Sequence, residues 1–404
     1  MPGPPRHPSL PAGVWALGFV SLLMDVSSEM IHSLLPLFMV GTLGVSVLAV
    51  GLIEGVAEAT ALITRVFSGM ASDWLGRRKP LAVFGYALGA ATKPVFALAT
   101  GLPMVMAARF ADRLGKGIRG APRDALLADI TPRAMRGAAF GLRQSLDTVG
   151  AFVGPLLATG LMLLWAGDFR AVFWVAVMPG AMSVALLVFG VREPRRAADA
   201  PVVNPLRRAT MARLPAAFWQ VVALGAAFTL ARFSEAFLVL RAEQLGVAAA
   251  WVPLVMVAMN VVYSATAYPF GRWSDRIDHR VLLAAGLVML IAADAVLAAA
   301  ADWRWAIAGV LLRGMHMGMT QGLLAAMVAD TAPDDLRGTA FGLFNLVSGI
   351  ATLVASALAG VLWQGFGASA TFMAGMAFCA FALVGLLVTA WRRHDVGGTS
   401  RPSR

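Results

Sequence analysis

The chain of 404 residues holds a single cysteine, Cys379, set in an apolar run. One thiol excludes an intramolecular disulfide and any metal site built from several cysteines. Charge is the second shortage. Asp, Glu, Lys and Arg make up 14% of the residues against 59% hydrophobic, and mean hydropathy is +0.75. A soluble fold of this length could bury a large core, yet it would need a more polar surface than this composition supplies. The short arrangements typical of enzymes are missing too: there is no H-E-x-x-H pair and no nucleophile elbow. Gly115-Lys116-Gly117 has the outline of a phosphate loop, but the upstream glycine and the following Ser or Thr are absent. Neither an enzyme activity nor a resident cofactor or metal is expected.

What is abundant is long apolar sequence. Read with a window of about 19 residues, apolar segments run near 12–40, 46–70, 80–100, 103–125, 137–164, 168–191, 217–245, 250–273, 281–300, 304–327, 339–364 and 369–391. This predicts an all-α membrane protein of about twelve transmembrane helices. The first segment is too long for a signal-peptide core, carries Asp25 and Glu29, and follows a Pro-rich, weakly basic start, so it is expected to stay as a span. Gly101-Leu102-Pro103 and Ala166-Gly167-Asp168 are connections so short that the helices they join turn straight back. The one long polar interruption, 192–216, is rich in Arg, Pro and Ala and reads as a linker. The expected organisation is a six-helix bundle over 1–191, the linker at 192–216, a second six-helix bundle over 217–391, and a tail at 392–404.

The net charge of +11 invites a nucleic-acid reading until its placement is followed. Alternating the connections collects Arg6, Arg77, Arg78, Lys79, Arg123, Arg133, Arg136, the linker arginines, Arg272, Arg276, Arg280, Arg337 and the tail arginines on one side. The other side receives little beyond Arg170 and Arg304. An excess of roughly twenty basic residues over a few is what the positive-inside rule produces. Both termini are therefore expected in the cytoplasm, with the lipid bilayer as partner and no nucleic acid.

The two halves repeat each other. ADITPRAMRGAAFGL (128–142) returns as ADTAPDDLRGTAFGL (329–343), so that Asp129, Pro132, Arg136 and Gly137 recur as Asp330, Pro333, Arg337 and Gly338. Gly69 and Asp73 return as Gly271 and Asp275, and Ser28-Glu29 as Ser234-Glu235. Three matches in the same order at nearly constant offset indicate duplication and a pair of pseudo-symmetric bundles.

One stretch breaks the apolar pattern. Arg109, Asp112, Arg113, Lys116, Arg119, Arg123 and Asp124 fall three and four residues apart, one charged stripe on a helix. From Arg109 to Arg123 it covers roughly 21 Å, a large part of a bilayer's core of ~30 Å. Such a stripe cannot face lipid, so it lines a protein- or water-filled interior.

At this point the chain resembles the major facilitator superfamily, over nearly its whole length. GMASDWLGRRKPL (69–81) is similar to that family's loop signature between spans two and three: Gly69, Asp73, Gly76, Arg77 and Arg78 match, and Trp74 replaces the usual Arg. GRWSDRIDHR (271–280), with Gly271, Asp275 and Arg276, resembles the weaker second copy. Arg113-x-x-Lys116-Gly117 partly resembles the fourth-span motif, with Lys116 where Gln is common. Gly150-x-x-x-Gly154-Pro155 resembles the fifth-span motif associated with exporters, with Ala158-Thr159 in place of its closing glycines. DVSSEMI (25–31) and GKGIRGAPRDAL (115–126) suggest a bacterial subgroup of drug-efflux-like or uncharacterised members. The resemblance implies a monomeric secondary transporter of the bacterial inner membrane that works by alternating access.

Within that frame the charged residues take expected roles. Gly69 permits close helix approach, and Arg77 pairs with Asp124 or Asp129 in a cytoplasmic gate that also takes in Asp73, Gly76, Arg78, Arg136, Gly271, Asp275, Arg276, Asp330 and Arg337. Asp25, Glu29 and His32 share one helical face, as do Glu54, Glu58 and Arg65. A carboxylate at bilayer depth either pairs with a cation or holds a proton until water reaches it. Asp25, Glu29, Glu54, Glu58 and Asp147 are therefore candidates for proton coupling, Asp147 with Arg143 one turn before it. Candidates for the substrate cavity are His32, Lys93, Arg109, Asp112, Arg113, Lys116, Arg232, Glu235, Asn260, Arg313 and His316. The second half is poorer in charge; it has Asp294 on span nine, and Asn260 where the first half has Glu58, so proton chemistry is expected in the first half. Gly150, Gly154 and Pro155 are expected to pack helices. Export of small molecules against protons leads. The alternatives are proton-coupled uptake of an anionic nutrient, prompted by Lys93, Arg109, Arg113 and Lys116, and a sensor or scaffold that has lost transport.

Overall fold

The computed structural model describes residues 10–75, 77–132, 135–193, 213–274, 277–320, 323–333 and 336–397. No strand occurs among them. The helices are α1 (Ala12–His32), α2 (Val47–Leu75), α3 (Lys79–Leu98), α4 (Leu102–Ile130), α5 (Arg136–Leu164) and α6 (Phe169–Gly190), followed by α7 (Ala216–Leu230), α8 (Ala236–Gln244), α9 (Pro253–Ser274), α10 (His279–Ala299), α11 (Trp303–Thr320), α12 (Leu323–Thr331), α13 (Arg337–Phe366) and α14 (Ala368–Gly397). After α1 the chain continues through a short helical piece, Leu35–Leu37, and a π-helical turn, Phe38–Thr42.

Nine helical runs among the described residues are long and apolar enough to cross a membrane. The other three expected spans fall outside that set. Helix α4 has the length, at 29 residues, but carries the charged stripe. The run α7–α8 is interrupted at 231–235, and α11 and α12, the described parts of the run expected at 304–327, hold 18 and 9 residues. Large apolar side chains point outward along the spans, as Phe189 (85% exposed) and Phe381 (73% exposed) do. An exterior of this kind suits lipid and not water. Short connections are stopped by side-chain caps: Asp168 accepts from the amides of Arg170 and Ala171, and Asp278 from that of Arg280.

By packing, the chain falls into two units, Met1–His32 with Thr64–Val202, and Ser33–Ile63 with Val203–Arg404. The division thus runs through α2 as well as near the linker. In the first unit α1 packs on α5 and α6, and α3 on α4 and α6. Its apolar core includes Val14, Leu17, Met24, Tyr86, Leu126 and Leu187. Lipid tails are as apolar as these side chains, so helix association here rests on close packing and polar contacts more than on water exclusion. Glycine sets the closest approaches. A Cβ at Gly85 would lie 2.7 Å from the Gly115 carbonyl oxygen, so α3 and α4 touch backbone to backbone. Gly150 and Gly154 of α5 seat in the same way on α1, where added Cβ atoms would meet Asp25 and the Leu22 carbonyl, and Glu29 and the Val26 carbonyl. Pro155 follows inside α5.

In the second unit α9 and α10 pack on α11, and α10 on α14. Phe218, Phe228, Leu283, Leu290, Val328 and Cys379 belong to its core. The first part of α2 joins this unit by lying on α13. A Cβ at Gly360 would be 3.0 Å from the Leu48 Cα, one at Gly55 would be 3.0 Å from the Leu353 carbonyl oxygen, and the Leu48 amide donates to Gln364 Oε1 at 3.3 Å.

Replacing Gly85 with Val is expected to force α3 from α4 and to lower stability by about 1–3 kcal/mol, the usual range for overpacking. Gly141→Ala, where nothing lies within 4 Å of the added methyl, is the matched control and should be neutral or slightly stabilising. Thermal melts of the two purified variants against wild type check this; equal melting of G85V and wild type would refute the backbone contact.

Candidate functional site

The Gly85–Gly115 contact brings α3 against α4 so that Lys93 reaches Asp112. Lys93 Nζ donates to Asp112 Oδ1 at 2.8 Å and to Ser28 Oγ of α1 at 3.1 Å. Lys93 is fully buried, and Asp112, Arg109 and Arg113 are nearly so. The second Asp112 oxygen lies 3.4 Å from His32 Nε2 and 4.0 Å from Arg109. Both arginines close on the His32 ring: Arg109 on Nε2, and Arg113 on Nδ1 at 3.0 Å. Glu29 Oε1 stands 3.7 Å from Nδ1. A neutral imidazole has only one bare nitrogen, so it accepts from one of these guanidiniums at a time.

The charged stripe continues down α4 and finds partners at each turn. Arg119 lies over the Tyr86 ring, 4.8 Å from its centroid. Arg123 donates to Ser21 Oγ at 3.1 Å. Asp25 has Asp147, Lys116, Arg119 and Arg123 as electrostatic neighbours. Asp147 pairs with Arg143 one turn before it, as their spacing predicts. Asp124 is held by Arg65 and Arg123, each at 3.0 Å, with Arg143 at 3.7 Å. Asp129 pairs with Arg78 at 3.2 Å.

The last two contacts correct the expected gate. Arg77 takes neither Asp124 nor Asp129; its side chain is exposed. Arg78 is the residue on which α3 starts, so it is turned inward against the end of α4, and its amide also donates to Glu193 Oε1. Gly69 does bring α2 close to α4, its added Cβ meeting Ala121 at 3.4 Å, and Ser68 Oγ donates to the Gly117 carbonyl at 2.9 Å. Arg136 is exposed at the start of α5. Gly76, Asp275 and Arg276 lie outside the described residues, as do the side chains of Asp73 and Arg337. Gly271 has nothing within 4 Å of an added Cβ. Glu54, buried, and Glu58, half-buried, belong to the second packing unit.

The repeat register that sets Asp129 on Asp330 and Arg136 on Arg337 also sets Lys93 on Asp294 and Asp112 on Arg313. These too are partners. Arg313 lies 3.5 Å from Asp294 Oδ1 and donates to the Phe233 carbonyl at 3.0 Å, next to Ser234, the repeat counterpart of Ser28. The same clasp of three spans therefore occurs twice, with its charges inverted. Asp294, fully buried, is a site residue that sequence reasoning passed over; the register was the signal that would have found it. His316, one turn beyond Arg313, donates from Nδ1 to the Gly286 carbonyl at 2.7 Å, while its buried Nε2 has no hydrogen-bond partner among the described residues. Arg232 and Glu235 lie in the break between α7 and α8, and Asn260 is half-buried on α9. At the end of α12, Asp330 lies 3.8 Å from His279, beside a cavity of about 520 Å³.

Comparison with known proteins gives concordant results. The family model of the Major Facilitator Superfamily matches residues 17–240 and again 233–404. An uncharacterised MFS-type transporter of Methanocaldococcus jannaschii is 31% identical over 362 residues, covering 88% of this chain and 89% of the relative. The multidrug resistance protein MdtH of Photorhabdus laumondii is 28% identical over 288 residues, 69% of this chain and 68% of its own. A peptide transporter of the POT type, known from its crystal structure, superposes with a TM-score of 0.79 at 16% identity, over 94% of each chain.

Because Lys93 and Asp112 are buried together, removing one strands the other. Lys93→Met is expected to cost about 3–5 kcal/mol, and the double variant K93M/D112L less than K93M alone. Thermal melts of both single variants and the double variant close the cycle; strictly additive effects would show that the two charges do not support each other.

Proposed function

The chain belongs to the major facilitator superfamily and is a membrane transporter of that class, and on that premise we propose that it exports small molecules in exchange for protons by alternating access. In this reading it acts as a monomer in the bacterial inner membrane, with both termini in the cytoplasm. It performs no enzymatic step.

The observation that carries the proposal is the cluster of Glu29, His32, Arg109, Asp112 and Arg113. A proton placed on the His32 ring changes it from an acceptor for arginine into a double donor. It then favours Glu29 and Asp112, both already within 4 Å, and repels the two guanidiniums that now close on it. Glu29 is the acid best placed to pass that proton. Arrival or departure of one proton would thus rearrange α1 against α4, and a bundle that rocks needs such a two-state element. Asp25 and Asp147, mutual neighbours, are the next candidates, with Glu54 and Glu58 after them.

Export rather than uptake is supported by the seating of Gly150 and Gly154 on α1 beside Asp25 and Glu29. A similarity to a multidrug resistance protein points the same way. The uptake reading drew on the cations of the first half. Lys93 meets Asp112 and Ser28, and Arg109 and Arg113 share the His32 ring, which supports reading these charges as the protein's own network. The pair Arg78–Asp129, with Asp73 nearby in sequence, would form the gate that breaks as the halves rock.

Purified protein in proteoliposomes, with an imposed pH gradient and a panel of cationic, neutral and anionic compounds, tests the proposal. Wild type is expected to couple proton movement to at least one compound. Glu29→Gln should abolish coupling at normal abundance; if E29Q and the neutral variants of Asp25, Glu54 and Glu58 all keep full proton dependence, coupling through these acids is refuted. Asp73→Asn should slow turnover severalfold without loss of protein from the membrane, and wild-type turnover in that variant would remove the gate.

A further inference from the structure

The seventh span is interrupted. Helix α7 ends at Leu230 and α8 starts at Ala236, and the intervening Ala231–Glu235 is not helical. At membrane depth such backbone is tolerated only where protein buries it or a cavity receives it. Protein accounts for part of the break: the Arg232 amide donates to the Thr229 carbonyl at 2.9 Å, and the Phe233 carbonyl accepts from Arg313. Phe233 itself packs edge-on against Phe237 and Phe372.

The side chain of Arg232 is what the break presents. It is half-buried and lies over the face of Phe228, 5.4 Å from the centroid. Among the described residues its guanidinium makes no hydrogen bond or ion pair. Its electrostatic neighbours are Arg313, Glu235, Tyr263 and Cys379. Arg313 is a like charge and is already held by Asp294. His316 also lies by that ring, 5.5 Å between centroids, and its buried Nε2 has no hydrogen-bond partner among the described residues. A fixed cation with five donors, resting on an aromatic face next to an imidazole, is a receptor for a planar or tetrahedral anion.

The repeat separates this feature from the scaffold. The three-span clasp has a counterpart in each half, and Asp129, the acid of the gate pair, returns as Asp330. In the register of Ser28 on Ser234, Arg232 falls on Val26, which is buried and apolar. A charge with no twin is not required by the fold that the two halves share.

We propose that Arg232 at the break of span seven is the specificity-determining contact for an organic anion, a carboxylate or phosphate carried on an apolar body that lies along Phe228 and Tyr263. The inference names the substrate class for the transport reading above and rests on it only for what occupancy accomplishes. Binding itself is measured without transport.

The test uses the full-length protein in lipid nanodiscs, with decanoate as the anionic probe and decylammonium as its cationic counterpart, followed by calorimetry or intrinsic tryptophan fluorescence. Wild type is expected to bind decanoate saturably and to prefer it over decylammonium by about tenfold or more, as a charge-assisted contact requires. Arg232→Gln should weaken decanoate by a similar factor, and Arg232→Lys should keep most of the affinity. Unchanged decanoate affinity in R232Q, equal affinity for the two probes, or no binding to wild type would each overturn the proposal. If R232Q melts well below wild type, Arg232→Met replaces it, and the preference of wild type for the anion decides in any case. Saturable decanoate binding without proton-linked flux would leave this site standing and remove the transport reading; flux of a cation with no decanoate binding would do the reverse.

Discussion

A charge taken into an apolar bundle has to bring its counter-charge with it. That constraint shapes the first half of this protein more than any other. Lys93 is buried among hydrocarbon, and it is tolerated because Asp112 and Ser28 meet its ammonium from two other helices. Their meeting depends in turn on Gly85 and Gly115, which let α3 and α4 come together at backbone distance. The pair is weak evidence for stability, since burying two charges costs about as much as their attraction returns. What it does fix is geometry. With Asp112 held by Lys93 on one oxygen, the other is left facing His32, and the imidazole becomes the point where two arginines and two acids compete.

Much of this was legible in the sequence, because membrane burial is so restrictive. A helix that carries Arg109, Asp112, Arg113, Arg119, Arg123 and Asp124 on one face has only the interior to turn them to, and the structure buries the first four and half-buries Arg123 and Asp124. The spacing of Arg143 and Asp147 gave their pairing, and the spacing of Glu29 and His32 their neighbourhood. Contacts that depend on which way a short turn points were not legible. Arg77 and Arg78 are adjacent, equally basic and part of the same signature, and only the entry into α3 decides that Arg78 is the one turned toward Asp129. Asp294 was visible as a residue but not as a partner, because its cation is nineteen positions away on another helix. The internal repeat carries that information, but only once Lys93–Asp112 is known to be a pair.

Two kinds of feature emerge from the comparison of halves. The features that occur twice belong to the scaffold: the acids Asp129 and Asp330 and the clasp of three spans. The features that occur once are chemical: the competition at His32 in the first half and the interrupted helix with Arg232 in the second. The packing division crosses the sequence division in the same spirit, since residues 33–63 lie with the second-half helices through the glycine contacts of α2 on α13.

The inverted clasp also constrains ancestry. Whichever polarity came first, a single charge-reversing substitution at either position sets two like charges against each other inside the bilayer, acid on acid or base on base. Such an intermediate is strongly disfavoured at that depth. A path of point changes between the two polarities is therefore expected to pass through a stage in which at least one of the two positions is neutral. A chain assembled from two copies of either half would lose this asymmetry of sign, so the two halves are not interchangeable in the charge they place at these positions.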